Sequence, residues 1–181
     1  MYCPPDTWAE TSVHDRKCYN PCPPPHAKNS NTQMYGDNIT RTCVAACPKF
    51  TFADLSQGFG LCVNECPSLT NGTLQFADNS TKTCVTICPS GNKTFGDNIT
   101  LSCVYTCPLG SYAQPLPYRY CVWKCAAGTW GEDIKRTCID DPKLCPTING
   151  TLYYGENITT MCVKTCPEKN LGQNVTVDYW G

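Results

Sequence analysis

Thiols are the most reactive groups in this chain, and they recur in one frame, Cys-Val-x-x-Cys-Pro. The first cysteines of the frame are Cys18, Cys43, Cys62, Cys84, Cys103, Cys121, Cys138 and Cys162. The second are Cys3, Cys22, Cys47, Cys66, Cys88, Cys107, Cys125, Cys145 and Cys166. Three chemistries use such a set: metal ligation, nucleophilic catalysis and cross-linking. Zinc tolerates this spacing, but zinc clusters do not call for a long array of a single frame interleaved with glycosylation acceptors. Nucleophilic catalysis needs a base oriented beside the thiol. The only histidines, His14 and His26, lie outside the recurring frame and are expected at the surface. Cross-linking remains, and 17 cysteines in 181 residues fit a disulfide scaffold built in an oxidising compartment.

Carboxylates also recur. Asp37, Asp78, Asp97 and Glu156 hold one position of the repeat. One acid per unit is too few for a calcium site, so a solvated turn carboxylate is expected. Asp140 and Asp141, in the expanded segment "CIDDPKLC", read as an acidic loop rather than a catalytic pair. No phosphate-binding loop is present. The chain is read as non-enzymatic, with no catalytic, cofactor-binding or metal residues.

Eight Asn-x-Thr sequons, among only thirteen asparagines, form the third recurring chemistry. Asn38, Asn79, Asn98 and Asn157 each lie five residues before a first cysteine; Asn71, Asn92, Asn149 and Asn174 fall in variable insertions. Asp-Asn-x-Thr also makes a good turn, which would account for a few sites but not for those in the insertions. Covalent N-glycans are expected, and with them surface exposure.

Small repeated elements must position these groups. Between each second cysteine and the next first cysteine lies an aromatic followed by Gly or Ala: Trp8, Tyr35, Phe52, Phe76, Phe95, Tyr112, Trp130, Tyr154 and Trp180. The aromatic precedes the first cysteine by 8 to 10 residues, whereas its distance from the preceding second cysteine runs from 5 to 14. One half of each unit is in fixed register and the other accepts insertions, as surface loops do. Val or Ile after the first cysteine suits a short strand, and Pro after the second sends the chain into a turn. The small residue after the aromatic is expected to permit a tight bend or a close backbone approach. One ring on one disulfide is the expected mini-core, and such small units must stack on their neighbours.

The fold class predicted is small and disulfide-rich: tandem short β-hairpin and coil modules stacked into an elongated rod, with little or no helix. The modules run approximately over 3–18, 22–43, 47–62, 66–84, 88–103, 107–121, 125–138 and 145–162, with 166–181 incomplete.

Two pairings compete. A second cysteine can bond the next first cysteine, or each Cys-x-x-x-Cys can close on itself; a linked two-disulfide pattern is a third arrangement. An extended five-residue stretch holds its ends beyond the ~7 Å disulfide limit. A longer loop also gains more, about 3 kcal/mol at 15 residues. The long loops are favoured: Cys3–Cys18, Cys22–Cys43, Cys47–Cys62, Cys66–Cys84, Cys88–Cys103, Cys107–Cys121, Cys125–Cys138 and Cys145–Cys162. Cys166 is then unpaired. Because the aromatic phrase has only begun at "DYWG", a chain cut in mid-repeat is expected ahead of an intermolecular bond from Cys166. Likewise Met1 runs straight into "YCPPD" without a signal peptide, as in a mature chain or fragment.

The net charge of −1 and the scattered basic residues argue against nucleic acid. No apolar run approaches the ~18 residues of a membrane span.

The phrase "CVKTCP", with "GENIT" just upstream, resembles the furin-like cysteine-rich repeats of growth-factor receptors. The resemblance covers nearly the whole chain, and that family's single-disulfide modules use the long-loop pairing. The tandem "FADNSTKTCV" and "FGDNITLSCV" are similar to cysteine-rich surface proteins of ciliates and other protists. This implies an extracellular or cell-surface location and no catalytic activity. The function expected is structural: a glycan-coated, disulfide-stapled rod forming or coating a surface fibre or glycocalyx filament. Its partner would be its own kind, by self-association or by continuation of the array. A receptor stalk or adhesin that binds a protein or glycan is the alternative. Its best segment is Tyr112 to Trp123, which has four aromatics and Arg119 and lacks a sequon. A contact between adjacent units is expected there ahead of ligand binding.

Overall fold

A computed structural model describes residues 3–10, 17–23, 33–91, 94–115, 117 and 119–167. Asn92, Asn174, His14, His26 and Trp180 lie outside the described residues. Strands dominate, and there is no α-helix among the described residues.

Each unit is one antiparallel hairpin. The pairs are β1 (Trp8–Ala9) with β2 (Cys18–Tyr19), β3 (Tyr35–Asp37) with β4 (Thr42–Val44), and β5 (Phe52–Asp54) with β6 (Gly60–Val63). Next come β7 (Phe76–Asp78) with β8 (Thr83–Val85), and β9 (Phe95–Asp97) with β10 (Ser102–Val104). Then follow β11 (Tyr112–Ala113) with β12 (Cys121–Val122), and β13 (Trp130–Glu132) with β14 (Thr137–Ile139). A 3-10 turn, Pro142–Leu144, and a side hairpin of β15 (Thr147–Ile148) and β16 (Thr151–Leu152) precede β17 (Tyr154–Glu156) and β18 (Met161–Val163). The side hairpin turns at Asn149 and Gly150, both at positive φ, as the tight Asn-Gly turn requires.

Within a hairpin the register repeats. The aromatic faces the residue after the first cysteine, as in Tyr35 opposite Val44 and Trp130 opposite Ile139. The small residue faces the cysteine itself, as in Gly36 opposite Cys43 and Ala77 opposite Cys84. Successive residues of a strand point to opposite faces. A unit's aromatic therefore lies on the face away from its own disulfide.

Between hairpins the pairing is parallel, and it also repeats. The small residue of one unit pairs with the residue just before the next unit's first cysteine: Ala9 with Thr42, Gly36 with Leu61, Ala53 with Thr83 and Ala77 with Ser102. The series continues with Gly96 and Tyr120, Ala113 and Thr137, and Gly131 and Met161. The result is a ten-stranded and a six-stranded sheet, joined by the Gly96–Tyr120 bridge.

Among the described residues the buried apolar side chains fall into separate clusters rather than one common core. Trp8 clusters with Cys22 and Cys43, Phe76 with Cys88 and Cys103, and Tyr112 with Cys125 and Cys138. Phe95 packs against Cys107 and Cys121. In each case the ring sits on the disulfide of the following unit, because pleating turns it away from its own.

Candidate functional surface

Eight disulfides join Cys3–Cys18, Cys22–Cys43, Cys47–Cys62, Cys66–Cys84, Cys88–Cys103, Cys107–Cys121, Cys125–Cys138 and Cys145–Cys162. Each runs from a second cysteine to the next first cysteine. Cys166 is free and exposed.

The recurring acids are not solvated, which corrects the expectation for that position. Asp37, Asp54, Asp78, Asp97, Glu132 and Glu156 are all buried. Each carboxylate folds over the hairpin loop that follows it. Asp37 accepts from the Ile39 and Thr40 amides and from Thr40 Oγ1 at 2.6 Å. Asp97 accepts from Ile99 N, Thr100 N and Thr100 Oγ1, the last at 2.7 Å. Glu156 accepts from Ile158 N, Thr159 N and Thr159 Oγ1. Burial works to raise the Asp78 pKa, but hydrogen bonds from Thr81 Oγ1, from the Ser80 amide and hydroxyl, and from the Thr81 amide hold it below the ordinary value. Glu156 is held low in the same way: its burial is outweighed by Thr159 Oγ1, the two loop amides and the charge of Lys124.

These loops are also the sequons. Asn38, Asn79, Asn98 and Asn157 follow the acid directly and are exposed. Asn71 and Asn149, in the insertions, are exposed as well. Asn71 Oδ1 accepts from Thr73 N in an Asx turn. Two acid-loop asparagines accept a bond from the preceding unit: Trp8 Nε1 donates to Asn38 Oδ1 and Trp130 Nε1 donates to Asn157 Oδ1. Each bond links a unit to the next through the amide oxygen, so the amide nitrogen, where a sugar attaches, is not consumed.

The position two before each first cysteine was missed in the sequence. Arg41, Lys82, Leu101, Arg119, Arg136 and Thr160 all stand there at positive φ. Outside glycine that conformation costs about 1–2 kcal/mol. Its carbonyl accepts from the small residue of the preceding unit, as in Lys82 O from Ala53 N at 2.8 Å and Arg136 O from Ala113 N at 2.7 Å. Its side chain reaches back too. Arg41 Nη2 donates to Pro4 O, Arg119 Nη2 to Thr94 O, Arg136 Nη1 to Cys107 O and Thr160 Oγ1 to Cys125 O. Basic residues at four of these positions were the legible signal.

A second missed phrase follows the second cysteine. In the units without an insertion, Thr7, Thr51, Ser111 and Thr129 donate amide and hydroxyl to the carbonyls of Pro4, Pro48, Pro108 and Ala126. This turn delivers the aromatic to its strand. Thr or Ser just before the ring, with Pro three residues earlier in three of the four, was its mark.

The glycine after an aromatic serves close approach rather than a bend, since it lies within a strand. A Cβ on Gly36 would stand 2.4 Å from the Trp8 ring, and one on Gly96 would stand 2.6 Å from the Phe76 ring.

The stretch Tyr112 to Trp123 divides. Tyr112 is buried, and its hydroxyl donates to Asp133 of the next unit at 2.6 Å. Burial first, and then the Asp133 carboxylate, push its pKa up to about 12. Arg119 lies over the Phe95 ring of the preceding unit. Both side chains thus serve contacts between units. Trp123 is 66% exposed, with Tyr105 and Leu109 exposed in the same part of the array.

Asp141 caps the 3-10 turn by accepting from Lys143 N, and Asp140 is exposed beside it. Among the described residues no group of three His, Cys, Asp or Glu side chains could hold a metal ion, and no helix is long and apolar enough to cross a membrane. No family model, no curated protein and no solved structure matches the chain.

Proposed function

We propose that this chain is an extracellular structural array: a glycan-coated, disulfide-stapled rod that forms or coats a surface fibre or glycocalyx filament. The observation that carries the reading is the junction. The same parallel register recurs at seven described junctions, from Ala9–Thr42 to Gly131–Met161. An interface that repeats without closing extends by adding units, and each unit contacts only its neighbours. Eight disulfides suit an oxidising, secretory or extracellular compartment and replace the missing common core. The six described sequon asparagines are exposed, as a coat requires. Small-angle scattering and electron microscopy of the purified glycoprotein are the test: elongated particles or filaments support the reading, and a compact globule sinks it.

One observation favours the adhesin reading. Tyr105, Leu109 and Trp123 are each exposed in a stretch where no sequon lies between Asn98 and Asn149. Saturable binding of a protein or glycan that is lost on Trp123→Ala, with the particle shape unchanged, would move the assignment there.

A further inference from the structure

The acid loops and the insertion loops treat the sequon threonine differently. In the acid loops its hydroxyl is consumed by the fold: Thr40 donates to Asp37, Thr81 to Asp78, Thr100 to Asp97 and Thr159 to Glu156, at 2.6 to 2.7 Å. Thr40 and Thr81 are held again by Thr42 and Thr83 across the loop. In the insertion loops, among the described residues, no hydrogen bond engages the hydroxyl of Thr73 or Thr151. Asn-x-Thr is a sequon because the glycosyltransferase must engage that hydroxyl together with the asparagine amide. A hydroxyl bonded to a buried carboxylate must first be pulled free, and charge-assisted bonds of this kind are the strong ones.

We propose that the sequons of this chain form two classes, set by the fold. Asn38, Asn79, Asn98 and Asn157 accept a glycan only before their hairpin closes, whereas Asn71 and Asn149 accept one before or after. In the transfer, Asn Nδ2 bonds to the anomeric carbon of a glycosyl diphosphate donor. The carbon–oxygen bond to the diphosphate breaks, the diphosphate leaves with the electron pair, and the amide gives up one proton. Once attached, the glycan is compatible with the closed loop, because the acid binds the threonine and the loop amides and leaves Nδ2 alone. At Asn38 and Asn157 the tryptophan of the preceding unit binds only Oδ1. The four acid-loop sites therefore set folding and glycosylation in competition, with the disulfide of the same unit closing the window.

This inference rests on the glycan-coat reading, and one experiment separates the two. The full chain is made without glycans, with its eight disulfides verified by mass. It is then treated with a purified oligosaccharyltransferase and a lipid-linked glycosyl diphosphate, either intact or after reduction and alkylation. Occupancy is read by glycopeptide mass spectrometry. In the intact chain Asn71 and Asn149 are modified, and the four acid-loop sites lag by about tenfold or more, as the loss of one charge-assisted bond implies. In the reduced chain all six sites are modified alike. In intact Asp97→Ala, which frees Thr100, Asn98 rises toward Asn71 while Asn38 does not. Equal modification of all six sites in the intact chain overturns the two classes and leaves the coat standing. Failure of all six sites in the reduced chain overturns both.

Discussion

The rings of Trp8 and Phe52 occupy equivalent places in the array but differ in how deeply they are buried. Trp8 descends onto Gly36 of the next unit and is 3% exposed. Phe52 meets Ala77 of the next unit, shares a shallow cleft with it and stays half-buried. The rule extends along the chain. Phe76 above Gly96 and Tyr112 above Gly131 are buried, whereas Tyr35 before Ala53 and Phe95 before Ala113 are not. Trp130 above Gly155 is half-buried, so the glycine permits the descent but does not compel it. A methyl group holds the ring off the backbone, and at two of the three alanine seats a cation covers the ring: Lys82 over Phe52 at 5.4 Å and Arg119 over Phe95 at 5.1 Å. One register thus supports a dry joint on glycine, as at Trp8, Phe76 and Tyr112, and a cation-capped joint on alanine, as at Phe52 and Phe95.

The largest expected effect comes from removing the disulfide beneath each kind of joint. The double change Cys88→Ser with Cys103→Ser should cost about 3 kcal/mol from loop closure alone. It also loosens the buried Phe76 ring that packs on both sulfurs. Cys66→Ser with Cys84→Ser, next to the half-buried Phe52, should cost less in total despite its longer loop. Chemical denaturation of the two variants decides the matter, and equal losses would erase the distinction.

Exchanging the seats comes next. Gly96→Ala drives a methyl into the Phe76 ring and should destabilise by about 1–3 kcal/mol, the cost of overpacking. Ala77→Gly adds no clash and should cost about 1 kcal/mol or less, as glycine in a strand does. Hydrogen exchange at the Ala77 and Ala53 amides, which bond to Leu101 O and Lys82 O, reports the Phe76 and Phe52 joints locally.

Removing the cap is milder. Arg119→Met keeps the stem but deletes the bond to Thr94 O and the cover on Phe95, for a loss of about 1–2 kcal/mol. The same joint should become more exposed to solvent, visible as faster exchange at Gly96.

The smallest effect should not discriminate at all. Asp78 follows an alanine seat and Glu156 a glycine seat, and both acids are held below their ordinary pKa. A carboxylate with a depressed folded pKa stabilises above its unfolded pKa, and that contribution is lost as pH falls through the folded value. Acidification below the ordinary carboxylate range should therefore loosen both joints together. Hydrogen exchange against pH checks this, and loss at only one class would assign the acids a role in the difference.

Much of the unit was legible in the sequence because its chemistry is local. The Cys-Val-x-x-Cys-Pro frame, the constant aromatic-to-cysteine spacing and the β-branched residue after the first cysteine together imply a short hairpin closed by one bond. Phe76 opposite Val85 and Ala77 opposite Cys84 follow from an alternation that any two-residue period encodes. The acid loop was visible as a phrase, Asp-Asn-Ile-Thr, but the fate of the carboxylate was not. Asp37 turns away from water to the Ile39 and Thr40 amides of its own loop, a geometry that the residue types alone do not distinguish from a solvated turn.

Everything that joins one unit to another was settled only in three dimensions. Tyr112 to Trp123 looked like a single patch, yet Tyr112 turns inward to Asp133, Arg119 turns back to Phe95 and Trp123 stays outside. The ring could have packed on its own disulfide or on a neighbour's, and spacing along the chain permits either. Pleating decides it: the cysteine and the aromatic stand on adjacent positions of the register and face opposite ways, so the ring reaches a sulfur only across the parallel junction. Sequence alone set the period, the turns and the residues available for cross-linking, because these depend on neighbours along the chain. The dry and capped joints depend on neighbours in space, and only the stacking of one hairpin on the next supplies those.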